Sequence, residues 1–373
     1  MQKRMPQLDA VRGIAVLLVI IHNTPGRYPI LWLQRLAASG WMGVDLFFVL
    51  SGFLITGILL DSRNSGGYFK NFYVRRCLRI WPLYGSLLLC LFVLIPLMRP
   101  SESALIFSAR SSPWWSYPLF LQNFLVRNPS GALGLLGVTW SLAVEEQFYL
   151  AWPWAVRYCS IIQLRRIMLA VICLSPALRL YLYLHGVDIY SNLFCRLDGL
   201  MAGGLLALLA RSSNVHQSKF TPMAWVSLLV AVPLAILTDF PGNRWMVHSL
   251  AVLAAASFVY LALFSAQRWF RTLLANRFLV YAGTISYGLY LLHKIPFDLA
   301  KDLRVTDNPF LVMPIVFAVT FGFATLSWNL LEKPFLALKS RFAPADGRDG
   351  AEGPRSVPQS DYTITAPRSV ATG

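Results

Sequence analysis

The run GWMGVDLFFVLSGFLITGILL, residues 40–60, contains a single ionisable side chain, Asp45. As a helix rising ~1.5 Å per residue it would cross the ~30 Å hydrocarbon core of a bilayer, and it lacks the alternation of a barrel strand. Comparable runs recur along the chain, so spans are expected at about 10–23, 40–60, 79–98, 137–156, 167–185, 196–211, 222–239, 246–266, 277–293 and 309–333. Composition agrees. Of 373 residues, 56% are hydrophobic and only 13% charged, and the mean hydropathy is +0.55, which excludes an ordinary water-soluble enzyme. The expected fold class is an all-α polytopic membrane protein with about ten transmembrane helices.

Thirty-three Lys and Arg against 17 Asp and Glu give a formal charge of +16. In a soluble chain that excess would suggest nucleic acid, but here the positive-inside rule accounts for it and no nucleic-acid partner is expected. Basic residues in the expected inner flanks outnumber those in the outer flanks two to one, which places both termini in the cytoplasm. Lys3 and Arg4 before an apolar run resemble a signal peptide, yet Asp9 and Arg12 interrupt the run and no small-residue cleavage site follows. The reading is a retained first span. The five cysteines form no CxxC pair and no cluster with histidine, so neither a disulfide framework nor a metal site is expected. The outer connection 99–136, with Trp114, Trp115, Tyr117 and Phe120, suits the membrane interface. Residues 1–340 are expected to form one transmembrane domain and 341–373 a disordered cytoplasmic tail, since the composition turns to Gly, Pro, Ser and Asp from about Ala343. No fixed-period repeat or matched pair of broken spans points to a transporter built from repeats.

An ionisable group at the centre of a span costs at least ~2.5–3.5 kcal/mol, so each calls for a partner, a wet cavity or a function. In the first span Arg12 lies toward the cytoplasm and His22 near the outer end, ten positions on, roughly 15 Å along the axis and about 80° around it. Asp45 sits near the outer end of the second span, and Glu145 and Glu146 lie about a third of the way into the fourth. Adjacent residues point ~100° apart, so one glutamate at most shares a cavity with His22. Arg196, Asp198 and His293 fall at the same outer level. On the inner side Arg75, Arg76 and Arg79 precede the third span, with Arg76 and Arg79 on one helical face. That spacing makes a forked basic patch suited to phosphates.

Plainer readings compete. The three arginines could be positive-inside anchors, and Asp45 or Asp198 could pair with Arg196 or Arg179 to hold helices together. His185, His216 and His248 read as ordinary interfacial residues, and Gly199, Gly203 and Gly204 as close helix packing.

Four segments in order resemble the integral-membrane acyltransferase-3 family: LDAVRGIAVLLVIIHN (Leu8 to Asn23), GVDLFFVLSGFLI (Gly43 to Ile55), RRCLRIWPLY (Arg75 to Tyr84) and TWSLAVEEQFYL (Thr139 to Leu150). Weaker echoes are RLDGLMAGG (Arg196 to Gly204), ISYGLYLLH (Ile285 to His293) and LEKP (Leu331 to Pro334). The resemblance implies a multi-pass protein of the bacterial cytoplasmic (inner) membrane that O-acylates a carbohydrate, glycolipid or macrolide. The acyl group, usually acetyl, would come from acetyl-CoA in the cytoplasm, and no metal is implied. The family's basic residue and histidine of the first span map onto Arg12 and His22, and its RxxR element onto Arg76 and Arg79. The spacing departs slightly, with nine residues between Arg12 and His22 where the family pattern has ten. Some relatives carry a further extracytoplasmic hydrolase-like domain; about thirty low-complexity residues stand in that place here, so the chain is expected to work alone or with a separate partner.

On this reading acyl-CoA docks its phosphates at Arg76 and Arg79, flanked by Arg75, and its thioester enters near Arg12. His22 acts as general base or as a transient acyl carrier, with Glu145 orienting the imidazole and Asp45 in support. The rival readings are a glycolipid carrier or flippase with His22, Asp45 and Glu145 as a proton relay, and a non-catalytic membrane subunit.

Overall fold

The computed structural model describes residues 5–23, 30–98, 112–125, 134–212, 217–297 and 309–338. The expected tail, most of the outer connection and His216 lie outside the described residues. Within them the chain is helical and forms no strand. It begins with α1 (Pro6–Asn23), a short α2 (Leu31–Ala38), α3 (Met42–Asp61) and α4 (Tyr68–Leu89). A single π turn, Cys90–Leu94, carries α4 on to Met98. There follow α5 (Trp140–Tyr158), α6 (Ile161–Leu184), α7 (Leu193–Ala210), α8 (Thr221–Thr238), α9 (Arg244–Phe264) and α10 (Arg268–Leu274). The next span is broken at Ile285 into α11 (Arg277–Thr284) and α12 (Ser286–Leu292), and α13 (Pro309–Ser327) follows.

Among the described residues seven helices are long and apolar enough to cross a membrane. The other three spans expected from hydropathy are helical too, as α1, α5 and the broken α11–α12 pair. These carry Arg12 and His22, Glu145 and Glu146, and Tyr290 with His293, polar residues that lower their hydropathy. The protein is an all-α polytopic membrane protein.

Burial sorts the helices into centre and periphery. In the apolar window of Leu31–Asp61 72% of the residues are buried, against 17% in those of α6, α8 and Val312–Ala337. The peripheral helices turn leucine, isoleucine and valine outward, the surface expected against lipid. With acyl chains as apolar as leucine, central contact relies on close packing of small residues. The chain passes α3 against α7 along Gly52 and Gly203, where a methyl on Gly52 would strike the Leu200 carbonyl and one on Gly203 the Val49 carbonyl. The glycines expected to serve close helix packing do so here. Local starts follow standard capping: Ser160 and Gln163 form a reciprocal capping box at α6, and the Asn192 and Asn276 side chains accept from the first turns of α7 and α11.

One expected boundary is displaced. The third span was expected from 79, but its helix begins at Tyr68, so Arg75, Arg76 and Arg79 lie inside α4 rather than ahead of it. The three cations depress local hydropathy and hide the helix start. Of the aromatic outer connection, residues 112–125 pack on α4: Tyr84 stacks on Phe120 at 5.2 Å and donates to the Tyr117 carbonyl at 3.0 Å. Phe120 takes a φ of 53°, and Gln147 of α5 pins it by donating to its carbonyl at 2.6 Å.

Candidate functional site

Two cavities lie back to back along α1. The first, about 310 Å³, is lined by Arg12, Arg76, Arg79, Ser51, Glu145 and Tyr149 among other residues. Arg12 pairs with Asp9 one turn earlier at 2.7 Å. The Arg76 guanidinium lies 5.3 Å from the Tyr149 ring centre and 5.9 Å from that of Phe72, a cation–π clamp, and among the described residues its N–H groups make no hydrogen bond. Among the described residues neither Arg76 nor Arg79 has a carboxylate within ion-pair distance. Each Glu145 carboxylate oxygen accepts from a neutral donor, Oε1 from the Ser51 hydroxyl at 2.6 Å and Oε2 from the Tyr149 hydroxyl at 3.0 Å, one helical turn along α5. Three guanidiniums facing one carboxylate leave this cavity with an excess of positive charge suited to an anionic guest.

The second cavity, about 890 Å³, receives His22 from the last turn of α1, together with Trp41, Trp140, Asp188, Tyr190 and His248. The His22 ring is exposed to it. Gly40 allows the turn Ser39–Trp41 to close on this end of α1, since a Cβ there would strike the Leu18 carbonyl and stand 3.0 Å from the His22 Cβ. Trp41 donates its indole N–H to Asp239 at 2.9 Å. Asp188 caps its own loop through the Tyr190 and Ser191 backbone N–H groups at 3.0 and 3.1 Å. Burial pushes the Tyr190 phenol up to about 12, so it stays a neutral hydroxyl at physiological pH.

Val44 and Tyr290 line both cavities and so belong to the wall between them. The Tyr290 hydroxyl donates to the Val138 carbonyl at 2.9 Å and shares a 2.5 Å hydrogen bond with Ser141.

The structure brings Arg12, Arg76, Arg79 and Glu145 together. His22 lies in the other cavity, so Glu145 faces the arginines and is not placed to orient the imidazole, as the sequence reading had it. Depth along a helix decides this, and a helical wheel carries no depth. Glu146 lines neither cavity, and its Oε1 is buried without a hydrogen-bond partner. Arg75 lines neither. Asp45 also lines neither; it is buried and paired with Arg196 at 3.4 Å, while Asp198 pairs with Arg179 at 2.7 Å, the helix-joining arrangement weighed against a catalytic role. His248, expected as an interfacial residue, is buried and contacts Arg196, whereas His185 is exposed, as expected. Ser51, Tyr149 and Tyr290 escaped sequence reasoning, although Tyr149 stands four residues after Glu145, the spacing at which helical side chains meet. Among the described residues no group of three or more His, Cys, Asp or Glu could hold a metal ion.

Comparison with known proteins adds what geometry alone does not. The family model described as acyltransferase domain, of the acyltransferase-3 type, matches residues 5–329. The chain is 28% identical over 364 residues to a Staphylococcus aureus protein provisionally named an O-acetyltransferase, covering 89% of this chain and 57% of the relative. It is 30% identical over 361 residues to a Bacillus subtilis protein provisionally named a peptidoglycan O-acetyltransferase, covering 88% and 54%. It is 27% identical over 363 residues to a peptidoglycan O-acetyltransferase of Listeria monocytogenes, covering 89% and 56%. The chain thus spans little more than half the length of these relatives. No solved structure matches it.

Proposed function

The chain belongs to the acyltransferase-3 family, and from that premise we propose that it moves an acyl group, acetyl in the first instance, from cytoplasmic acyl-CoA to a hydroxyl of a carbohydrate acceptor. The reading places it in the bacterial cytoplasmic membrane. The observation that supports it best is the pair of cavities on one helix: a cationic one in which Arg76 and Arg79 have no ion-pair partner among the described residues, and a larger one holding an exposed histidine, with Val44 and Tyr290 lining both. Arg76 and Arg79 would bind the phosphates of the donor, and Arg12 would stand where the pantetheine arm turns toward the wall. Glu145, held by the Ser51 and Tyr149 hydroxyls, would sit at the floor of the donor cavity.

In the transfer step the acceptor hydroxyl gives its proton to a His22 ring nitrogen as its oxygen attacks the thioester carbonyl carbon. The tetrahedral intermediate collapses with cleavage of the C–S bond, and the imidazolium returns its proton to the departing thiolate. Transient acylation of His22 is the covalent variant of this step. Peptidoglycan is the first acceptor to try, because two of the relatives are named for it.

Membranes carrying the full chain, or its His22→Ala variant at equal level, are incubated with acetyl-CoA labelled on the acetyl group, and their glycans are released under mild alkali. The expected result is alkali-labile acetate on the glycan that falls at least ~100-fold with His22→Ala, the scale of a lost general base. Full incorporation by His22→Ala would remove the histidine from the chemistry. Movement of glycolipid without any labelled acetate would favour a carrier instead.

A further inference from the structure

Two buried arginines stand one above the other where α3, α6, α7 and α9 meet, and they differ in how they are satisfied. Arg179 uses its whole guanidinium: Nε donates to the Trp245 carbonyl at 3.1 Å, Nη1 to the Cys195 carbonyl and to Asp198 at 2.7 Å each, and Nη2 to the Ser249 hydroxyl at 2.5 Å. That is a structural pin. Arg196, equally buried, leaves Nε and Nη2 without a hydrogen-bond partner, as its counter-ion Asp45 leaves Oδ2. The faces of Phe48, Trp140 and Tyr190, 5.4–5.6 Å away, take the place of those bonds. Unmet buried polar atoms are costly and call for an explanation.

The explanation is at Nη1, which meets Nδ1 of His248 at 2.6 Å. A guanidinium only donates, so Nδ1 must accept, and the neutral ring carries its proton on Nε2. Among the described residues Nε2 has no hydrogen-bond partner, and His248 lines the cavity into which His22 is exposed. Arg196 thus presents to that cavity a ring of fixed tautomer and fixed orientation, braced edge-on by Trp41 at 4.9 Å. Such a device serves a guest that accepts a hydrogen bond, as a sugar ring or hydroxyl oxygen does.

We infer that His248 binds the acceptor, donating Nε2–H to an oxygen of the polyhydroxylated substrate facing His22, and that Arg196 and Asp45 are positioning residues acting through it. The inference rests on the acyl-transfer reading above. It assigns Asp45 to the acceptor side without contact with the reacting atoms.

Two amide replacements separate the ring nitrogens. In His248→Asn the side-chain oxygen can still accept from Arg196, but nothing reaches the Nε2 position; in His248→Gln an amide N–H₂ does. Full-length protein in membranes is assayed for labelled acetate passed from acetyl-CoA to the endogenous glycan, across a range of acetyl-CoA concentrations. His248→Asn is expected to lower maximal incorporation by roughly tenfold with the half-saturating acetyl-CoA concentration unchanged, the loss of about one hydrogen bond. His248→Gln is expected to recover part of that loss. Unchanged incorporation in His248→Asn overturns the inference, as does equal loss in both variants or a raised half-saturating acetyl-CoA concentration, which would mark a structural role. A wild-type protein that incorporates no acetate overturns the acyl-transfer reading itself.

Discussion

At the scale of single residues the informative contrast is between cations that are answered and cations that are not. Arg12, Arg179 and Arg211 each hold a carboxylate at 2.7 Å, whereas Arg76 and Arg79 face the smaller cavity with no such partner among the described residues. Unanswered guanidiniums in a desolvated pocket bind phosphate strongly, so Arg79→Ala should raise the half-saturating acyl-CoA concentration roughly 10- to 100-fold with little change in maximal rate. Titrating acyl-CoA in the membrane assay reads this directly, and an unchanged value would leave Arg79 an anchor only. Arg12, Arg76 and Arg79 were legible in the sequence because charge in an apolar run needs no partner to be noticed. His248 was not, since its burial depends on Arg196 arriving from another helix 52 residues away. Glu145 was half legible: its inward direction followed from the helix, while the cavity it enters depends on the depth at which α5 sits beside α4.

At the scale of elements the helices followed from hydropathy, and their departures have local causes. The start of α4 was masked by its own arginines, and the break between α11 and α12 at Ile285 falls among Gly283, Thr284, Ser286 and Gly288, poor helix formers within the expected span. Interhelical distance was the better-encoded property. Gly203 sits where α7 meets the α3 backbone, so Gly203→Val should destabilise the bundle by roughly 1–3 kcal/mol through overpacking. Thermal unfolding in detergent would show it as a lowered midpoint, against a Gly66→Ala control that meets nothing within 4 Å. A midpoint shared by both variants would mean that the α3–α7 contact can spread at no cost.

At the scale of the whole molecule the peripheral helices α6, α8 and α13 face lipid, while α3 is the most buried span and α1 packs against it. On the proposed reading the two cavities are separate workplaces, and the wall between them is the place where donor binding and transfer would be uncoupled. Val44→Trp should leave the half-saturating acyl-CoA concentration within roughly threefold while reducing acetate transfer at least ~100-fold, since a 1 Å displacement of reacting groups already costs about that much. Donor binding by purified protein, set beside transfer by membranes, tests this; joint loss of both would place the obstruction within the donor cavity. The same wall bears on the electrical life of the cell. Two chambers end to end in a membrane would make a pore if they joined, and a proton gradient would run down through it. Ser141 and the Val138 carbonyl tether the Tyr290 hydroxyl between the chambers, and on the proposed reading that tether would let a two-carbon group pass while the bundle stays an insulator.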